Sequence, residues 1–286
     1  MVDVSISLVG GNNDSIELTN KYSSYVLTSG VLGLGIPPVS VRITESAGDG
    51  GTWRHTKRGV RDVDLPIAIL GTDRADLEVK LRRLASLIND TEGPTRIVAT
   101  YTDGTAFQLF AHYVGGGDVA YGKEGNSVFA NWTLSFQAPQ PYWESTSSIN
   151  YVLQQTGAGR GLLPQLSKLK LAGQFGFGDV VLTNPGDVAA YPVWTIKGPC
   201  DSASFSANGV GFTYNAAILD TETITVDTLT GTVTDQTGAN KYANLSAAPK
   251  LFPIPPGSTT VTVSAPSATA TTLITGYVKP RREVIH

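Results

Sequence analysis

The sequence predicts a mainly β chain in two domains. The first, over residues 1–145, is a compact α+β or small-barrel domain with one helix and hairpins; the second, over residues 146–286, is an antiparallel β-sandwich. Three observations carry this prediction. One segment has helical periodicity, the runs around it alternate with period two, and short β-type runs recur in the second half at intervals of roughly 8–12 residues between Gly, Pro and Asn turn groups.

Taken in order, residues 39–44 alternate apolar and polar side chains and read as a half-buried strand. Residues 60–70 form a longer strand interrupted by Pro66, which points to an edge or a bulge. Residues 73–90 are the helix, with Leu77, Leu81, Leu84 and Ile88 on one stripe. Thr72 or Asp73 caps it, and Asp73, Asp76 and Glu78 suit its positive N-terminal end. Gly93-Pro94 prevents continuation, and Arg74, Lys80, Arg82 and Arg83 make a solvated outer face. Residues 95–101 and 105–114 pair across Asp103-Gly104, which supplies the positive φ angles of a tight turn. A second hairpin has a polar tip around residues 122–126 and returns through 127–138, and the domain closes near Pro141-Tyr142-Trp143. A Ser- and Gly-dense stretch, 144–178, leads to the sandwich runs 190–197, 223–227, 259–264 and 271–278. Their turns are Asn184-Pro185-Gly186, Asn208-Gly209, Thr230-Gly231 and Pro255-Pro256-Gly257.

Composition excludes several classes of function. With 21 basic and 24 acidic residues in 286, the net charge of −3 is no nucleic-acid-binding excess. One Cys and three His leave no Cys/His metal site and no disulfide within the chain. No apolar run is long enough to span a membrane, and the first residues lack the basic and apolar regions of a secretory signal, so folding in a cytoplasm is expected. Only 16% of residues are charged, against about 25% in ordinary domains. That suits a surface that works against other protein. The halves differ: residues 1–145 hold 12 basic and 16 acidic residues, whereas residues 146–286 hold 9 and 8 but 20 of the 32 threonines.

No stretch carries catalysis. Residues 117–123 match a phosphate-loop spacing, but Glu124 replaces the magnesium-binding Ser/Thr and a strand follows, so they read as a hairpin tip. Gly33-Leu34-Gly35 lacks the third glycine of a dinucleotide site and reads as a loop before Pro37-Pro38. His55 (in a charged loop), His112 and His286 are scattered, and Cys200 reads as a buried, inert thiol. Asp62 and Asp64 share a strand face, where salt bridging outweighs acid–base chemistry. No catalytic, cofactor or metal residues are assigned, and an enzyme is not expected. Two surfaces stand out. Residues 48–61 are a Gly-rich basic loop with Trp53, Arg54, Lys57, Arg58 and Arg61, either an ordinary surface loop or an arm that orders against a neighbouring subunit. Tyr142, Trp143, Tyr191 and Trp194 are core residues, domain-junction residues or a sugar-stacking platform.

Residues 50–67, from Gly50-Gly51 through Trp53, Arg54, Lys57, Arg58 and Arg61 to Leu65-Pro66-Ile67, resemble the N-terminal domain of the siphophage distal tail (Dit-like) family. The helix, the Asp103-Gly104 hairpin and the Ala138–Trp143 closing segment follow in that family's order. Residues 182–199, 223–234 and 256–263 are similar to its C-terminal domain; residues 157–178 and 279–286 have no clear counterpart. The resemblance implies a non-enzymatic virion protein, assembled in the bacterial cytoplasm into a homohexameric ring at the tip of a long non-contractile tail. It implies a ring-forming, split-barrel-like first domain and an outward, galectin-like second domain. The implied partners are the tail tube protein, the tail hub or tip protein and a receptor-binding protein, with DNA only as passing cargo. The alternative is a carbohydrate-binding sandwich that contacts a host glycan.

Overall fold

The computed structural model describes residues 4–118, 128–154 and 177–285. The hairpin tip expected at 122–126, the phosphate-loop-like Lys123-Glu124, His286 and nearly all of the 157–178 stretch lie outside the described residues. Two compact units are present: residues 1–147 together with 281–286, and residues 148–280. The second domain was expected to run to residue 286, but residues 281–286 belong to the first unit.

The first unit comprises β1 (Val4–Val9), β2 (Ser15–Glu17), β3 (Tyr25–Leu27), β4 (Val39–Glu45), β5 (Gly51–Arg58), β6 (Arg61–Leu70), α1 (Arg74–Leu87), β7 (Thr95–Tyr101), β8 (Ala106–Gly116), β9 (Phe129–Ala138) and β10 (Trp143–Ser145). Its main sheet is antiparallel and runs in the order β2-β1-β7-β8-β9-β6-β3. The two ends approach each other, since the Leu27 N–H donates to the Leu18 carbonyl at 2.7 Å, and the sheet curls into a nearly closed barrel. Alternation explains the interior: Leu8, Val63, Leu65, Ile67, Ile97, Leu109, Leu134 and Phe136 all point inward and are buried. Pro66 makes no bulge. The β6–β9 register passes through the Pro66–Thr133 pair unbroken, and the proline sits just beyond the last β3 pair, Leu27–Ile67.

The helix lays Leu77, Leu84 and Leu87 on this core. Asp73 is its cap, accepting the Asp76 N–H at 2.8 Å. It ends earlier than periodicity predicts, because residues 90–92 tighten into a 3-10 turn capped by the Asn89 side chain. The basic outer face is solvated and laced with ion pairs: Arg74 and Arg82 to Glu78, Lys80 to Asp76, and Arg83 to Asp14.

The second unit holds β11 (Ile149–Gln154), β12 (Gly178–Asn184), β13 (Val193–Lys197), β14 (Ala203–Ala207), β15 (Val210–Tyr214), β16 (Thr223–Asp227), β17 (Thr232–Asp235), β18 (Gly257–Ser264) and β19 (Leu273–Val278). They form two antiparallel sheets, β11-β19-β13-β16-β17 and β12-β18-β14-β15. Both contribute to one core, in which Trp194 of β13 meets Phe205 of β14 at 4.6 Å and Phe205 stacks on Phe212 at 5.0 Å between ring centroids. Asn208-Gly209 joins β14 to β15 with φ angles of 51° and 77°, the paired positive values of a two-residue hairpin turn. Cys200 is buried here, and burial pushes its thiol up to about 11, which keeps it protonated and inert. The chain then returns to the first unit as β20 (Arg281–Arg282), which pairs with β10, itself paired with β8.

Replacing Asp73 with Ala removes the helix cap and is expected to lower stability by about 1 kcal/mol. Urea unfolding followed by circular dichroism measures this.

Candidate assembly surface

The segment read as a Gly-rich loop is a strand. Residues 51–58 are β5, and they pair with β4 from Val39–Arg58 at the root to Glu45–Gly51 at the tip. His55, placed in a loop by the sequence, therefore lies on β5. The register shifts between Arg42 and Ile43, so Arg54 is the extra residue of a bulge and donates through Nε to Thr44 Oγ1 at 3.0 Å. This pair forms a sheet of its own, joined to no other described strand.

β4 was expected to be half-buried, and that expectation fails. Every residue of it is exposed. Paired residues share a face, so Val39, Val41 and Ile43 lie on one side with their partners Arg58, Thr56 and Trp53. Their exposures are 42% for Val39, 53% for Val41, 59% for Ile43 and 62% for Trp53. The other side carries Arg42, Thr44, His55 and Lys57. Beyond Arg58 at its root, the arm thus presents one apolar and one basic face, and its alternation marks a surface that nothing in the described chain covers.

Arg61, expected to reach a neighbouring subunit, is closed to any partner. It is 1% exposed. Its Nε donates to the Pro141 carbonyl, Nη1 to the Gly33 and Gly35 carbonyls, and Nη2 to the Glu283 carbonyl, each at 2.6 Å. Trp143 lies beneath, with its ring 6.0 Å from the guanidinium carbon. Burial pushes the Arg61 pKa down to about 10, which leaves it charged at neutral pH. Gly33 makes this geometry available: its φ is +91°, and a Cβ there would lie 2.2 Å from the Asp62 carbonyl oxygen. Arg58 is also occupied within the chain, giving Nε and Nη2 to Glu283 Oε1 at 3.0 and 2.7 Å. Hydrogen bonding to Glu283 raises its pKa. Of the five basic-arm residues singled out from sequence, Trp53, Arg54 and Lys57 remain exposed on the arm.

The aromatic set divides between the two cores. Trp143 and Trp194 are 0% exposed, the first in the barrel core and the second in the sandwich core. Tyr142 is half-buried, with the Arg281 guanidinium 4.7 Å from its ring centre, and Tyr191 is half-buried in the second unit. Among the described residues, Asp62 and Asp64 accept hydrogen bonds from Gln137 and Ser135 and form none of the expected ion pairs. His112 Nδ1 lies 3.0 Å from Asp90. Among the described residues, no three His, Cys, Asp or Glu side chains converge as a metal site would require. No described helix is long and apolar enough to cross a membrane.

No protein-family model and no curated protein sequence matches the chain. Solved structures do match it. The crystal structure of the phage SPP1 Dit (gp 19.1) protein, described as a paradigm of the hub adsorption apparatus in phages infecting Gram-positive bacteria, has a TM-score of 0.66. Identity is 13%, over 96% of this chain and 98% of that one. The chain has the Dit fold. A chain of the phage P2 baseplate, in its activated conformation with Ca, matches at a TM-score of 0.58 and 11% identity over 100% of both chains. The corresponding strontium structure gives 0.58 and 10% over 99% of each. The Dit fold therefore accounts for both units, not for the barrel alone.

Replacing Arg61 with Met strips the donors from four backbone carbonyls and is expected to destabilise the first unit by about 3–5 kcal/mol. Arg61→Lys recovers only part of this, because an ammonium has three donors and no planar fork. Chemical denaturation of both variants measures the difference.

Proposed function

We propose that this chain is a structural, non-enzymatic subunit of a phage tail hub, built as a homohexameric ring at the distal end of a long non-contractile tail. The full-length likeness in fold to the SPP1 Dit protein carries this reading. In it, the first unit makes the ring and joins tail tube to hub or tip protein. The second faces outward, towards a receptor-binding protein, and DNA passes through as cargo. The protein works in the virion after assembly in the host cytoplasm.

The arm supplies the means of self-assembly. An isolated two-stranded ribbon is at best marginally stable in water, so a face bearing Val41, Ile43 and Trp53 gains most by docking on other protein. Charge favours a second copy as that protein. Residues 39–58 hold four basic and two acidic residues, whereas the remainder of residues 1–145 holds eight and fourteen. A basic arm on an acidic body makes a head-to-tail contact, and repetition of that contact closes a ring. The carbohydrate alternative draws no support from Trp143 and Trp194, whose indoles are buried.

Val41→Asp combined with Ile43→Asp is expected to shift the assembly towards monomer in analytical ultracentrifugation. The free energy of unfolding should change by no more than about 0.5 kcal/mol per substitution, as for exposed sites. Six-fold rings that persist unchanged in negative-stain images of this variant would count against the reading.

A further inference from the structure

The arm leaves the barrel through two legs, and a distant segment holds both. The incoming leg runs through Gly33, Leu34 and Gly35 to Pro37-Pro38, and the outgoing leg runs from Arg58 to Arg61. The Gly59 N–H donates to the Pro38 carbonyl at 2.7 Å, which ties the legs together. Residues 281–285 then bind each leg. The Ile285 N–H donates to the Leu34 carbonyl at 3.0 Å on the incoming side. The Glu283 carboxylate takes both Arg58 bonds on the outgoing side. The Glu283 carbonyl accepts from Arg61, whose other bonds reach Gly33, Gly35 and Pro141.

From this arrangement we propose that residues 281–285 lock the direction of the β4–β5 arm, with Glu283 as the positioning residue. The segment is well anchored. Ile285 is 1% exposed, β20 is paired to β10, and the Arg282 guanidinium lies 4.4 Å from the Phe107 ring centre. Glu283 therefore has a fixed main chain, and its side chain carries that position to the last residue of the arm. The Arg58–Glu283 pair is itself about one-third and one-quarter exposed, and such a pair adds little to global stability. Its leverage is geometric. At about 3.3 Å per residue, the seven residues of β4 span about 23 Å, so a swing of about 10° at the root moves the tip by about 4 Å. Nothing else in the described chain packs on the arm to correct that error.

The consequence for assembly rests on the docking role proposed above, so the test reads arm direction itself. Spin labels on Asp49→Cys at the arm tip and Val79→Cys on α1 report the distance between arm and body by pulsed electron resonance. Labelled protein is diluted into unlabelled protein so that only distances within one chain count. Cys200 is 3% exposed and stays unlabelled. The protein with Glu283 intact should give one narrow distance distribution. Glu283→Gln should widen it at least twofold with little change in melting temperature, and the charge swap Arg58→Glu with Glu283→Arg should restore it. An unchanged width in Glu283→Gln overturns the lock, as does a swap that stays wide. A widened variant that assembles as well as the parent supports the lock and overturns the docking role of the arm.

Discussion

Everything about the arm depends on one buried cation. A guanidinium removed from water must have its donors satisfied, and Arg61 meets that demand with four main-chain carbonyls. Those carbonyls come from Gly33, Gly35, Pro141 and Glu283, so the demand draws three further stretches of chain onto the start of β6. The planar fork suits this task, since its donors point in fixed, divergent directions. The root of an otherwise unsupported ribbon is thereby tied at four points to the cation beneath it. Gly33 has the conformation that a side chain could not adopt there, and Trp143 fills the floor.

Local chemistry was well legible in the sequence. The helix, its Asp73 cap and the Asn208-Gly209 turn each depend on residues within a few positions of one another, and Asp103-Gly104 also turns the chain, although only Gly104 takes the positive φ expected of both. Burial was less legible. Alternation in residues 39–44 identified a strand with two unlike faces, but period two does not say what covers the apolar face, and here nothing in the described chain does. Arg61 was misplaced for a related reason. It follows Arg54, Lys57 and Arg58 and reads as one more exposed base, although the strand phase that buries Val63 and Leu65 also buries Arg61. Extending the β6 alternation back by one step would have found it. Glu283 had no signal at all, since 222 positions separate it from Arg61.

The low charge of the chain also has a structural meaning. The second unit spends its threonines on two sheets around an aromatic core of Trp194, Phe205, Phe212 and Phe252, and it needs few charges to fold. The first unit spends its charges locally, in helix pairs such as Lys80–Asp76, where the Lys80 ammonium holds the Asp76 carboxyl below its ordinary range. At 13% identity to a structure of the same fold, little in the way of individual side chains is shared.

The return of residues 281–286 to the first unit makes the whole of residues 148–280 an excursion between two paired strands, β10 and β20. Polymer physics treats such an excursion as a loop, and the entropy of closing a loop grows only with the logarithm of its length. Each doubling costs about 0.6 kcal/mol, and an inserted unit that folds by itself brings its own ends to fixed positions. The barrel therefore scarcely registers the size of what is inserted. A sandwich could be enlarged, shortened or exchanged for another fold at that point, while the buried arginine, the arm and the clamp over them stay as they are. The wiring leaves residues 148–280 free to diversify while the strands that hold the arm stay fixed.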